Sequence, residues 1–400
     1  MHNQVKSCFK MVISRKFKPG SINFFYQISV VLKSALLPIL ISGMSPEHFA
    51  TYLLMIAFGF LYYCIADFGT FAAVSNRLAR GDKVPVLSLI FPCVGSISIF
   101  MFSQQLSYFI KISEHLIFPF LIYYVTASSF SYLSGNKRAH GKYNDYLKIS
   151  GILNILEFLI FLAFVYISVT FSTIIVLISI CRIIFLVYST DILRSHNLSF
   201  EVKFNLFATN LGLAGVTNTF NQQGALLLLN AFGLVAEMSS LYFLRLTLRP
   251  VPLVLRYLSD RSLSEYGALP YKKALGYIQT YFWKSKPYFV GYLIAVVLGC
   301  VAVSIYTNNW LISIIMLFLS IEMFFNVLRT PHEIALLNFE NTTFKGLDYL
   351  LSYNTGLLFL FLFWIDEPRS LYLVLSTAVS SFAVFLRVRG MSNSVLINSK

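Results

Sequence analysis

Seven ionisable side chains fall deep inside long apolar runs of this 400-residue chain: the cations Lys33, Arg182, Arg245 and Arg249, and the anions Asp67, Glu157 and Glu322. A cation at the centre of a membrane helix costs about 2.5–3.5 kcal/mol on insertion scales, so each must be paired or face a wet cavity. Depth sorts them, because residues equidistant from the turn of an antiparallel hairpin lie at one level. Glu157 and Arg182 average to position 169.5, the centre of the turn between the fifth and sixth apolar runs. They are expected to form an internal ion pair, with either a structural or a transport role.

Lys33 lies 12.5 residues below the first turn and Asp67 lies 21.5 below it. At a rise of about 1.5 Å per residue they are about 13 Å apart along the axis, too far for direct pairing. Asp67 is then expected near the cytoplasmic mouth, in helix packing or beside Arg77 or Arg80, and Lys33 is expected to be unpaired. Arg245 and Arg249 are four apart and share a helix face. They lie 11 and 15 residues below a turn near 234, bracketing the depth of Lys33. Two like charges on one face suit a bound anion, and guanidinium forks suit phosphate oxygens. The alternative is that Glu322 neutralises Arg249. Pro250 and Pro252 remove backbone donors, so the helix should kink there.

Uncharged groups complete the candidates. Asn218, Asn221, Gln222 and the adjoining Gln223 sit near mid-depth, where amides can bond sugar hydroxyls or neighbouring helices. Tyr26, Tyr52 and Tyr242 offer apolar faces with hydroxyl tips, as sugar contacts or as interface residues. Asp67, Glu157 and Glu322 are the candidates for coupling to a proton or to sodium.

These groups need a membrane scaffold. Hydrophobic residues make up 57% of the chain and charged ones 12%, with a mean hydropathy of +0.71, against about 25% charged in ordinary globular chains. Apolar windows give twelve helices, at 21–43, 49–76, 84–107, 115–134, 146–168, 171–192, 205–229, 235–258, 287–306, 310–329, 344–365 and 370–388. The run 21–42 is too long for a signal-peptide core and lacks an A-x-A site, so it is read as a retained first helix. Ser259 to Lys286 is the longest break. With this count, 25 Lys and Arg fall on the side of the N-terminus and two, Lys111 and Arg369, on the other. Both termini are therefore expected in the cytoplasm, and the net charge of +14 reports topology rather than nucleic-acid binding.

Gly43-x-x-x-Glu47-x-x-x-x-Tyr52 recurs as Gly233-x-x-x-Glu237-x-x-x-x-Tyr242, an offset of 190 residues. The expected architecture is an all-α polytopic membrane protein, with twelve transmembrane helices in two parallel-repeat six-helix bundles around a central cavity. The lobes are placed at 1–195 and 196–400. The five cysteines are scattered without a C-x-x-C, and no phosphate-binding loop or zinc helix occurs. Outer connections of at most about eight residues leave no room for an outer-face polymerase or ligase, so no enzyme and no cofactor are expected.

Pro46-Glu47-x-Phe49, the long apolar helix after it, Asp67-Phe68-Gly69 and Asn76-Arg77-Leu78-Ala79-Arg80 resemble the start of polysaccharide-type flippases, the Wzx-like O-antigen exporters. That superfamily also holds multidrug exporters and the peptidoglycan-lipid flippase. A local likeness continues from Asn221-Gln222-Gln223 to Tyr242. The resemblance implies a flippase for polyprenyl-diphosphate-linked oligosaccharide in the bacterial inner membrane, with cavity cations on helices one and eight at Lys33, Arg245 and Arg249. It also implies ion coupling, membrane lipids as surroundings, and a polysaccharide polymerase and chain-length regulator as partners; no nucleic acid is expected. The second reading is a multidrug or metabolite cation antiporter of the same fold.

Overall fold

The computed structural model describes residues 19–71, 73–74, 78, 84–85, 87–139, 142–167, 169–189, 198–199, 212–216, 219–266, 269–338, 351 and 369–398. Apart from a two-residue parallel ladder, Val84–Pro85 with Leu198–Ser199, its elements are helices. Among the described residues seven helices are long and apolar enough to cross a bilayer, or eight if a pair bent by 72° at Phe102 is one span. Apart from Leu351, the eleventh helix expected at 344–365 lies outside the described residues, as do 205–211 and 217–218 of the seventh expected at 205–229.

The chain divides into two compact units, residues 1–212 with 226–233, and 213–225 with 234–400. In the first, α1 (Pro19–Val31) passes through a π-turn, Leu32–Leu36, into α2 (Leu37–Met44). α3 (Pro46–Tyr62) is capped by Ser45, whose hydroxyl accepts the His48 amide, and ends in a second π-turn, Tyr63–Asp67. The bent pair α4 (Leu87–Met101) and α5 (Ser103–Ile110) follows. α6 (Glu114–Ala139), α7 (Tyr143–Tyr166) and α8 (Phe171–Ser189) complete this unit's long helices.

α1 and α7 run in the same direction and touch along a three-rung ladder. Gly151 admits the Phe25 ring where a Cβ would stand 2.6 Å from it. The Asn154 amide donates to the Ser29 hydroxyl at 3.3 Å, and Lys33 meets Glu157. Steps of four from Phe25 to Ser29 to Lys33 and of three from Gly151 to Asn154 to Glu157 keep each rung on the contact face.

After a third π-turn at Phe220–Gly224 comes α9 (Ala225–Ala231). The expected eighth helix is broken: α10 (Val235–Thr247) stops, Leu248 and Arg249 form a turn, and α11 (Pro250–Tyr266) resumes. Proline supplies no amide to bond back, so the ladder fails where the sequence expects a kink. The expected break at 259–286 is corrected, because α11 continues through its start and α12 (Tyr271–Thr307) begins well before its end. The reason is amphipathic spacing: Tyr271, Ala274, Leu275, Ile278 and Phe282 are buried while Lys272, Lys273 and Lys284 face outward. α13 (Trp310–Asn338) and α14 (Arg369–Asn398) close the second unit.

Candidate functional site

The first unit holds a charge cluster spanning four helices. Glu157 of α7 is 2% exposed. One carboxylate oxygen accepts the Arg182 Nε–H of α8 at 2.6 Å, and the other lies 2.5 Å from the ammonium of Lys33 in the first π-turn. Arg182 also donates through Nη1 to the Tyr123 carbonyl of α6 at 2.8 Å and lies 4.0 Å from the centre of the Tyr123 ring. The depth argument for Glu157 and Arg182 therefore agrees with their contact. The expectation that Lys33 is unpaired is corrected. Its partner is on α7, a helix the chain reaches only four spans later, which comparison with the adjacent helix could not reveal.

Asp67 closes the second π-turn, and one of its oxygens accepts the Phe71 amide at 3.0 Å. It is not paired with Lys33, as expected from their spacing. Arg77 and Arg80, the partners weighed for it, lie outside the described residues. Phe68 follows in the left-handed region at φ 41°, an uncommon conformation for a side chain of its size. A Cβ on Gly95 would stand 2.4 Å from the Ile65 carbonyl oxygen, and one on Gly212 would stand 2.4 Å from that of Phe68. Glycine at both positions lets two backbones close on this turn.

In the second unit Glu322 of α13 is buried and accepts the Thr377 hydroxyl of α14 at 2.9 Å. Arg245 and Arg329 both lie within electrostatic reach of it. The weighed pairing of Glu322 with Arg249 is not seen; the guanidiniums that act on Glu322 electrostatically are those of Arg245 and Arg329. Arg329, read from the sequence as a basic residue at a helix end, is 6% exposed and contacts Glu333 at 3.5 Å. It sits two turns beyond Glu322, so helical spacing carried that signal. Arg249 stands half-buried in the turn between α10 and α11, with no ion-pair partner among the described residues. The helix break bears polar contacts of its own, since Tyr292 of α12 donates to the Thr247 carbonyl.

Asn221 and Gln222 fall within the third π-turn, while Asn218 lies outside the described residues. Tyr26, Tyr52 and Tyr242 are all buried. Tyr26 packs with Ile22 and Leu147, and Tyr52 meets Phe161 edge-on at 5.9 Å. Both are helix-packing residues in this arrangement. Three π-turns therefore hold Lys33, Asp67 and the Asn221–Gln222 pair, and such turns occur often at functional sites. The sequence offers no periodic signal for them beyond a polar residue interrupting an apolar run.

No protein-family model matches the chain, and no curated protein matches it. Solved structures do. A Vibrio cholerae MATE transporter aligns with TM-score 0.62 at 13% identity, covering 98% of each chain. A MATE transporter in complex with MaL6 gives 0.62 at 15% identity over 94% of this chain and 95% of that one. A MOP superfamily transporter from Pyrococcus furiosus, whose reversed pocket polarity suggests a different function, gives 0.60 at 14% identity over 98% and 95%. End to end, the chain has the all-helical, twelve-helix, two-lobed fold of the MATE transporters of the MOP superfamily.

Proposed function

We propose that this chain is an ion-coupled membrane transporter of the MOP type, working by alternating access. The observation that carries this reading is the fold likeness over nearly the whole length of both chains. Charged groups held in the apolar interior of each unit are consistent with it, because such groups mark pathways and relays in membrane proteins.

For cargo, the likeness to MATE transporters favours a multidrug or metabolite antiporter. The pairing of Lys33 with Glu157 supports it too, since it engages one of the three cations that an anionic headgroup would use. Flipping of a polyprenyl-diphosphate-linked oligosaccharide is the second reading, favoured by a different observation. Arg249 stands at a helix break without an acidic partner among the described residues, and two cations share the single carboxylate of Glu157. The reversed pocket polarity of the Pyrococcus furiosus transporter illustrates that this fold accommodates more than one charge preference.

Proteoliposomes of the full chain separate the cargoes. Gradient-driven movement of a fluorescent organic cation supports the antiporter. Movement of a polyprenyl-diphosphate oligosaccharide, with the organic cation left in place, supports the flippase and overturns the first reading.

A further inference from the structure

α12 is longer than a bilayer requires. Its 37 residues make a rod about 55 Å long at a rise of about 1.5 Å per residue, against a hydrocarbon core of about 30 Å. The apolar stretch 287–306 fills that core by itself. The residues before it, Tyr271 to Lys286, therefore stand outside the hydrocarbon.

Protein covers one side of this extension. Ala274, Leu275, Ile278 and Phe282 are buried, and the Tyr271 hydroxyl lies 2.9 Å from the Ser392 hydroxyl of α14. The Tyr277 ring stacks on Tyr266 of α11 at 5.3 Å. The other side carries Lys272, Lys273, Thr280, Trp283 and Lys284, all exposed. α12 contains no Asp or Glu, and Lys272, Lys273, Lys284 and Lys286 have no ion-pair partner among the described residues.

The turn at the membrane boundary combines this charge with aromatic surface. Trp283 is 58% exposed and Tyr288 81%, and rings of this amphipathic kind settle at headgroup level. The Lys286 ammonium lies 4.3 Å from the centre of the Trp283 ring and 6.0 Å from that of Phe324 on α13. Cation–π attraction thus holds it where α12 enters the hydrocarbon. Tyr288, Gly291, Ala295 and Leu298 follow Lys284 at steps of four and three, so they share its face, and all are exposed. Nothing lies within 4 Å of the Cβ position of Gly291. Cations above a bare apolar face match a phospholipid, with its phosphate above and its acyl chains below.

We propose that the boundary turn of α12, with Lys284 and Lys286 on either side of Trp283, binds an anionic phospholipid of the adjoining leaflet. The negative headgroup supplies the counter-charge that the protein withholds from these lysines. A zwitterionic headgroup brings its own cation and is a poorer match. Lys272 and Lys273 stand more than about 15 Å farther out along the helix, beyond a Debye length of about 8 Å, and take no part. The inference goes beyond the transporter reading and holds for any cargo.

The site carries its own reporter. The chain has three tryptophans, so Trp310→Phe with Trp364→Phe leaves Trp283 alone. In vesicles mixing phosphatidylglycerol and phosphatidylcholine, one or the other brominated high in its acyl chains, quenching of Trp283 measures which lipid sits beside it. Phosphatidylglycerol should be preferred at least about fivefold, the attraction of one surface lysine. Lys284→Gln with Lys286→Gln should bring the preference below about twofold, and Lys272→Gln with Lys273→Gln should leave it unchanged. Soluble glycerol phosphate should not relieve the quenching; relief would assign the turn to a free phosphate and overturn the proposal. Equal quenching by both lipids overturns it too, as does a preference that survives the inner pair of substitutions or disappears with the outer pair. If the tryptophan background does not fold, native mass spectrometry of phosphatidylglycerol retained by the otherwise unaltered chain and by the two lysine pairs makes the same comparison.

Discussion

Lys33, in the π-turn that follows α1, and Glu157 of α7 face each other at 2.5 Å, and Arg182 grips the far oxygen of the same carboxylate at 2.6 Å. One anion thus ties α1 to α7 and α8, and through Arg182 to α6 as well. Removing the centre of such a buried cluster strands two cations. Glu157→Ala should therefore destabilise the protein by about 3–5 kcal/mol, the usual cost of leaving a buried charge without its partner. Melting in detergent, followed by fluorescence-detected gel filtration, checks this. Lys33→Met should cost less than Arg182→Met, because Lys33 keeps 26% of its side chain exposed and Arg182 only 5%. Equal losses from both would contradict the cluster as described.

The turn at Asp67 makes a second prediction. Gly95→Ala and Gly212→Ala each place a Cβ 2.4 Å from a backbone oxygen, which must move. Overpacking of this kind costs about 1–3 kcal/mol. Gly299→Ala is the control: nothing lies within 4 Å of its Cβ position in α12. It should be neutral or stabilise by about 0.5–1 kcal/mol, since alanine favours the helix. Melting temperatures of the three variants decide, and a loss at Gly299 equal to the others would remove the close-approach argument.

Arg249 discriminates between the cargoes. If a phosphate-bearing headgroup binds at the break between α10 and α11, Arg249→Ala should lower its transport at least about tenfold, and Arg249→Lys should restore only part, since lysine lacks the planar fork. If the cargo is a small organic cation, both substitutions should leave its export within about twofold, as the lost charge repels rather than attracts. Transport rates in proteoliposomes, normalised to incorporated protein, read the difference.

Much of this fold was legible because membrane insertion imposes long apolar runs and alternating direction. Equal spacing from a turn put Glu157 beside Arg182 correctly. The same reasoning left Lys33 alone, because it compares only helices adjacent in the chain, whereas α1 packs along α7. The π-turns were hidden for a different reason. One inserted residue hardly disturbs apolar periodicity, so the re-aiming of Lys33 and Asp67 leaves almost no mark on the sequence. The length of α12 was misjudged because Lys272, Lys273 and Lys284 suggested a loop, while the buried stripe through Ala274, Ile278 and Phe282 sets it as a helix. Arg329 was missed as a buried guanidinium near Glu322 because its charge was assigned to topology.

The most direct measurement is coupled transport by purified protein in sealed vesicles. With a sodium or proton gradient imposed, the wild-type chain should move an organic cation or a polyprenyl-diphosphate oligosaccharide against its own gradient. Collapsing the ion gradient, or substituting Asp67→Asn, should abolish that uphill movement. Uphill movement that persists in Asp67→Asn and without any ion gradient, or no movement of either cargo by folded wild-type protein, would contradict the account.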